Sequence, residues 1–143
     1  MSAGSSNTAE LQVTIRNKLD ELPRLNSVIH SFLEARAVPQ AAVFAVHLAT
    51  EEMITNIIKY GYDDRRTHDI AVKVAHESGR LLIRIEDDGH EFNPLAAPPP
   101  DTSAQLEKRK IGGFGIHLVC KTVSEIHYQR IGCCNRLDMV IRL

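Results

Sequence analysis

Three glycines, Gly112, Gly113 and Gly115, stand at the start of a predicted helix in the segment Gly-Gly-Phe-Gly-Ile-His-Leu-Val. Glycines at a helix N-terminus leave the backbone amides uncovered, so that these amides can donate hydrogen bonds to a phosphate group. The glycines are not followed by Gly-Lys-Ser or Gly-Lys-Thr, and the spacing is not that of a dinucleotide fingerprint, which excludes both of those motifs. The segment alone is consistent with a phosphate-binding loop or with a flexible connector.

Glu52 and Asn56 lie four residues apart in a second predicted helix, so their carboxylate and amide project from the same face. They stand beside apolar residues such as Ile54 and Ile57, and both need polar partners if this face is buried. Glu51 points about 100° away around the helix, so only Glu52 shares the face of Asn56. On these residues alone, a solvated helix face with a helical hydrogen bond is the alternative.

An acidic segment containing Asp87, Asp88, Gly89 and Glu91 follows a predicted strand. It places carboxylates and a glycine at the point where the strand ends. An Asp-Gly pair is also a common tight turn, because glycine adopts backbone conformations that other residues avoid. An ordinary turn is therefore the alternative interpretation of this segment.

The elements that position these segments follow from the spacing of the apolar residues. Alternation predicts strands at residues 11–15, 70–74, 81–85, 124–130 and 137–143, with a turn at residues 132–135 between the last two. Three- and four-residue spacing predicts helices at residues 19–37, 39–60 and 113–123, with Pro23 in the first turn of the first helix. Because the strands pair mostly through hairpins, the predicted fold class is an α+β two-layer sandwich, with helices on one face of a mostly antiparallel mixed sheet.

The composition predicts one domain at residues 11–143 after a flexible N-terminus at residues 1–10. The net charge is −1 and the charges are scattered, which argues against direct binding of nucleic acid. The first ten residues lack the basic start and apolar run of a secretory signal, and we expect no uninterrupted apolar segment of the ~20 residues needed to cross a bilayer. Three cysteines, two of them adjacent, suit a reducing compartment. The expected location is the cytoplasm.

Taken in chain order, the segments at Glu52, at Asp87 and at Gly112 resemble, respectively, the N box, G1 box and G2 box of the GHKL ATPase superfamily, which shares the Bergerat ATP-binding fold. The motifs are most similar to those of anti-sigma-factor serine/threonine kinases of the RsbW/SpoIIAB type. They are Glu-Met-Ile-Thr-Asn from position 52, Asp-Asp-Gly-x-x-Phe-Asn-Pro from position 87, the glycine-rich segment from position 112, and Asn-Arg-Leu from position 135. The resemblance extends from residue 11 to residue 143.

The resemblance implies roles for Asn56 and Glu52 in the second helix and for Asp87 and Gly89 in the acidic segment. Asn56 would hold Mg²⁺ through its amide oxygen, since Mg²⁺ prefers oxygen ligands. Glu52 would be the general base that accepts the proton of an attacking serine hydroxyl. Asp87 would accept a hydrogen bond from the adenine amino group, and Gly89 would let the nucleotide approach the backbone.

The resemblance also implies how the phosphates of ATP would be bound. Gly112, Gly113 and Gly115 would wrap them with backbone amides. Residues 95–111 contain three consecutive prolines and a basic run that ends at Lys110, which predicts a surface loop acting as a lid over the nucleotide. Lys110 would then reach the terminal phosphate, although a basic run in a loop is also commonly solvated.

The implied function is a kinase that binds Mg-ATP and phosphorylates a STAS-type anti-anti-sigma protein. It would also bind a sigma factor and regulate transcription by partner switching, as a homodimer away from any membrane. One alternative is an ATP-gated protein-binding module without phosphoryl transfer. Another is a degenerate domain that binds no nucleotide, because Glu91 stands where many relatives carry a second glycine.

Overall fold

The computed structural model describes residues 8–96 and 113–143. The described chain contains five strands and three α-helices, together with two single-turn 3-10 helices at Leu19–Glu21 and Pro94–Ala96. The strands and α-helices, in chain order, are β1 (Ala9–Arg16), α1 (Leu22–Ala35), α2 (Gln40–Tyr60), β2 (Asp69–Glu77), β3 (Arg80–Asp87), α3 (Gly113–Thr122), β4 (Glu125–Ile131) and β5 (Cys134–Arg142). Most of the predicted lid, including Lys110, and Gly112 lie outside the described residues.

The five strands form one sheet in the order β1-β2-β3-β5-β4. All four pairings among the described residues are antiparallel. Two tight turns make the hairpins β2–β3 and β4–β5, and each contains a glycine with positive φ, 79° at Gly79 and 59° at Gly132. The predicted α+β fold class is confirmed, and the observed sheet is antiparallel where the prediction allowed a mixed one.

One face of the sheet is buried against the helices because apolar residues alternate along each strand. In β3, for example, Leu81, Ile83 and Ile85 are buried, whereas the residues between them are partly exposed. Helix α1 contributes Leu25 and Ile29 to the same core. Helices therefore cover one face of the sheet, and the other face carries polar side chains.

Helix α2 is the central helix of the core and holds Glu52 and Asn56. It is 21 residues long with a mean hydropathy of 1.2 in its most apolar window, so by length and composition it could span a membrane. Glu51 and Glu52 interrupt the apolar sequence of the helix, so the expectation that no uninterrupted apolar segment reaches ~20 residues is not contradicted. Since 56% of that window is buried inside the fold, the pattern is that of the core helix of a globular domain.

Several strand ends differ by a few residues from the prediction, and so do the first helix and the last hairpin turn. The first helix begins as a 3-10 turn at Leu19 and becomes α-helical at Leu22, with Pro23 in the first α-helical turn as predicted. It ends at Ala35, and Ala37 follows with a left-handed φ of 55°. The last hairpin turn is shorter than predicted, because β5 already begins at Cys134. The difference at the hairpin turn affects the site, because it places Asn135 in β5 instead of in a turn.

Candidate active site

A pocket open to solvent lies where the C-terminal end of β3 meets helix α2. Pockets that bind small molecules are usually mostly apolar with a few polar groups that fix orientation. This pocket has that character. Its walls are formed by Met53, Ile57, Gly61, Ile85, Asp87, His90, Phe92, Pro94, Tyr128, Asn135 and Leu137.

Asp87 is the buried carboxylate of this pocket, with 5% of its surface exposed. Its Oδ1 accepts hydrogen bonds from the Gly89 amide at 2.8 Å and from Asn135 Nδ2 at 3.0 Å. Within the described parts of the chain, Oδ2 has no hydrogen-bond partner. Burial raises the pKa of the Asp87 carboxyl above its usual range, although the hydrogen bonds from Asn135 and Gly89 oppose this effect. An acceptor oxygen is thus available to a ligand in the pocket.

Gly89 packs against the backbone of Gly61 at the C-terminal end of α2. A Cβ atom at position 89 would overlap the Gly61 carbonyl oxygen. The same oxygen accepts a hydrogen bond from the amide of His90 at 2.9 Å. Glycine is therefore required at this position by contact with the chain itself, and this contact joins the acidic turn to the end of α2.

Asn56 and Glu52 lie on one face of α2, as their spacing predicts. Asn56 is 4% exposed, and its Nδ2 donates to the backbone carbonyl of Glu52 at 2.9 Å. This bond assigns the two amide atoms and leaves Oδ1 without a donor among the described residues. Glu52 is half-buried. A carboxylate and an amide oxygen are both available at one turn of the helix.

Helix α3 brings its first turn to Glu52. A Cβ atom at Gly115 would overlap the carboxylate oxygen Oε1 of Glu52, so the carboxylate lies directly against the glycine. The helix begins at Gly113, and the positive end of its dipole favours negative charge nearby. The structure therefore places Gly113, Gly115, Glu52 and Asn56 in one region of the fold.

Glu91, the residue that replaces a second glycine, is exposed. A carboxylate in water interacts weakly with other charges at a distance. The exposed position makes the repulsion on a bound anion weaker than a buried carboxylate would exert.

Asn135 is a site residue to which the sequence interpretation gave no role. It is 6% exposed and pairs in register with Asp87 across β3 and β5. Its side chain faces the pocket because it precedes the inward residues Leu137 and Met139 at two-residue spacing. This two-residue spacing is the signal in the sequence. It was missed because the prediction assigned Asn135 to a turn.

A segment between α2 and β2, residues 61–68, borders the pocket at Gly61. The His68 ring stacks on Tyr62 with 4.4 Å between centroids, and its two nitrogens contact Asp64 at 2.8 Å and Asp88 at 3.0 Å. Hydrogen bonds to these two carboxylates raise the pKa of His68, and the bond to Asp64 has the larger effect. Because Asp88 belongs to the acidic turn, His68 joins that turn to the segment.

Comparisons with known proteins agree with this architecture. The family described as the histidine kinase-like ATPase domain matches residues 15–141. The serine-protein kinase RsbW of Listeria monocytogenes is 27% identical over 82 residues, which cover 54% of this chain and 52% of that protein. The chain thus spans about half the length of this curated relative.

A solved structure shares the fold. The crystal structure of the RsbU and RsbW domains of Rv1364c from Mycobacterium tuberculosis superposes with a TM-score of 0.65 at 14% identity. The match covers 94% of this chain and 32% of the other. At this identity the likeness establishes the fold alone.

Proposed function

The chain belongs to the histidine kinase-like ATPase domain family, and we propose that it is an ATP-dependent protein serine/threonine kinase of the anti-sigma-factor type. The domain at residues 11–143 would bind Mg-ATP and phosphorylate a STAS-type anti-anti-sigma protein. The observation that carries this proposal is the buried Asp87 with a free carboxylate oxygen in an apolar pocket beside the Glu52–Asn56 face of α2.

The pocket suits the adenine ring of ATP. Its walls are mainly apolar side chains, such as Met53 and Ile57 from α2 and Ile85 from β3, which suit a flat aromatic ring. The free Oδ2 of Asp87 would accept a hydrogen bond from the adenine amino group. Gly89 contributes indirectly, because its contact with Gly61 holds the acidic turn at the edge of the pocket.

Asn56 fits the role of a Mg²⁺ ligand. The bond from its Nδ2 to the Glu52 carbonyl directs the amide so that Oδ1, the atom that a hard cation prefers, is the one left available. The described residues contain no cluster of three or more His, Cys, Asp or Glu side chains that could hold a metal ion. Mg²⁺ is usually bound by few protein ligands together with substrate phosphates, and the amide oxygen of Asn56 would be such a ligand. When bound, Mg²⁺ would offset the negative charge of the transferring phosphoryl group.

Glu52 is the proposed general base. Its carboxylate would accept the proton of the substrate serine or threonine hydroxyl while the hydroxyl oxygen bonds to the γ-phosphorus and the bond to the ADP oxygen breaks. Backbone amides at Gly112, Gly113 and Gly115 would donate hydrogen bonds to the phosphates, and Lys110 of the lid at residues 95–111 would reach the terminal phosphate. Glu52 stands beside Gly115 and would therefore face the transferred group.

The proposed partners are a STAS-type anti-anti-sigma protein and a sigma factor, and the proposed setting is regulation of transcription in the cytoplasm. The relative named as a serine-protein kinase supports a serine acceptor. The sheet has two edge strands, β1 and β4, which could support association into the proposed homodimer. We propose no direct contact with nucleic acid or membrane.

The test is transfer of labelled γ-phosphate from Mg-ATP to STAS-domain proteins. Glu52→Gln is expected to lower transfer by about 10²- to 10⁴-fold and to leave ATP binding intact, whereas Asn56→Ala should weaken both. Glu51→Gln is the matched control, because Glu51 is an exposed carboxylate on the adjacent position of the same helix. Clear ATP binding with no transfer to any partner would contradict the kinase and leave an ATP-gated binding module. Absence of ATP binding would leave a degenerate domain.

A further inference from the structure

Asn135 makes four hydrogen bonds that use both ends of its amide. Its Nδ2 donates to Asp87 Oδ1 at 3.0 Å and to the His90 carbonyl at 2.9 Å. Its Oδ1 accepts from the Tyr128 hydroxyl at 2.5 Å and from the Phe92 amide at 3.3 Å. One buried side chain thus links Asp87, the chain after the acidic turn, and β4.

This network permits only one orientation of the Asn135 amide. A flipped amide would point Nδ2 at the Phe92 N–H, and it would point Oδ1 at the Asp87 carboxylate and the His90 carbonyl. Both changes replace hydrogen bonds by repulsion in a buried site, where an unpaired polar group is costly. Tyr128 strengthens the arrangement because its hydroxyl donates to Oδ1. A donor is therefore always presented to Asp87.

As a consequence, the two carboxylate oxygens of Asp87 differ in the hydrogen bonds they accept. Oδ1 accepts two hydrogen bonds, from Asn135 and from Gly89, and Oδ2 accepts none from the described residues. If the carboxyl became protonated, the proton would lie on Oδ2, because Oδ1 already faces two donors. Oδ2 would then be a hydrogen-bond donor facing the pocket. It could no longer accept a hydrogen bond from the amino group of a ligand.

We propose that Asn135, fixed by Tyr128, is a positioning residue that holds Oδ1 of Asp87 and so presents Oδ2 as the acceptor that selects a 6-aminopurine. The inference rests on the proposed function, since it assigns the purine to this pocket. Asn135 acts through Asp87 and need not touch the nucleotide. Without its amide, Asp87 would lose a donor that stabilises the carboxylate, and protonation would occur at higher pH.

Other charged groups also act on Asp87. Asp88 in the same turn raises its pKa, and Arg130 on β4 lowers it. Arg130 is held nearby by its hydrogen bond to the Gly89 carbonyl at 2.8 Å. Among the described residues, Tyr62, His90 and Tyr128 are further titratable groups near the carboxyl. These groups are unchanged in Asn135→Leu, so a displaced pH profile in that variant reports the missing amide.

The experiment compares dissociation constants of Mg-ATP and Mg-purine riboside triphosphate, which lacks the 6-amino group, over a range of pH. A hydrogen bond to a charged acceptor predicts that the wild type prefers ATP by about 10- to 100-fold. In Asn135→Leu this preference should fall towards one, and the loss of ATP binding on acidification should begin at higher pH. Tyr128→Phe, which removes only a hydroxyl, should change both quantities in the same direction by a smaller amount.

The controls separate three outcomes. Gln129→Ala, an exposed position on β4 next to Tyr128, should behave as wild type. If the wild type binds neither nucleotide, the proposed function fails and the inference fails with it. If the wild type prefers ATP but Asn135→Leu and Tyr128→Phe keep the same preference and pH profile, the inference alone is overturned. Should Asn135→Leu not fold, Tyr128→Phe decides between these outcomes.

Discussion

The carboxylate of Glu52 lies directly against Gly115, so helices α2 and α3 meet at a proposed catalytic group. A side chain at position 115 must displace that carboxylate. The backbone of α3 need not move, because the overlapping atom is the far end of a flexible side chain. Gly115 therefore controls where Glu52 points.

We predict that Gly115→Ala lowers phosphoryl transfer by about 10- to 100-fold, a part of what a general base contributes. Retained binding of Mg-ATP, measured by calorimetry, would show that the pocket itself is intact. The same substitution in a Glu52→Gln background should cause no further loss of transfer. A full additional loss in that background would show that Gly115 acts independently of Glu52, for example through phosphate binding.

Gly89 is predicted to be required for stability. A Cβ atom there would overlap a backbone oxygen of Gly61, which cannot rotate away as a side chain can. Gly89→Ala should lower the free energy of unfolding by about 1–3 kcal/mol, as overpacking does elsewhere. Denaturant unfolding measures this change. Gly79→Asn is the control. A Cβ atom added at position 79 would have nothing within 4 Å, and Asn tolerates a left-handed backbone. Equal losses in the two variants would contradict the packing explanation.

Much of this site could be predicted from local spacing. The four-residue separation of Glu52 and Asn56 correctly predicts a shared helix face. The apolar alternation at residues 81–85 correctly predicts β3, although the strand continues to Asp87. Both follow from the periods of a helix and a strand. The roles proposed for these residues remain predictions.

The contacts between distant segments could not be predicted in this way. Gly89 is required because it contacts Gly61 at the end of α2, and Asn135 is buried beside Asp87 in the sheet. The two residues of each pair are distant in sequence and meet only in the folded protein. Gly132 and the two cysteines that precede Asn135 have the composition of a turn. This composition concealed the start of β5. Strand boundaries depend on the partner strand, and a single segment contains little information about it.

His68 is predicted to stabilise the fold more at low pH than at high pH. Asp64 and Asp88 raise its pKa, so the protonated ring is favoured in the folded state. Its contribution is fully present below the unfolded pKa of about 6.5 and is lost as the pH rises through the higher folded pKa. The difference in unfolding free energy between wild type and His68→Gln should therefore shrink as pH rises. His127→Gln, on the exposed side of β4, controls for loss of a surface histidine. A difference that is constant with pH would contradict this assignment.

Asp87→Asn should separate binding from stability. In the variant, Oδ1 can still accept from Gly89 and Asn135, but the atom facing the pocket becomes an amide donor directed at the adenine amino group. ATP affinity should fall by about 10- to 100-fold, as expected for loss of a hydrogen bond to a charged group. Asp88→Asn, which changes the exposed neighbouring carboxylate, should bind ATP as the wild type does.

The same variant is expected to keep or gain stability at neutral pH. Burial raises the folded pKa of Asp87 above its unfolded value, so in the wild type this carboxyl contributes most at low pH and becomes unfavourable as the pH rises through the folded pKa. The unfolding free energy of Asp87→Asn relative to wild type should consequently increase from acid to neutral pH. Denaturant unfolding at several pH values measures this change. A variant that loses stability as the pH rises would show that the ionised carboxylate holds the fold together, and its burial could then not be attributed to ligand binding.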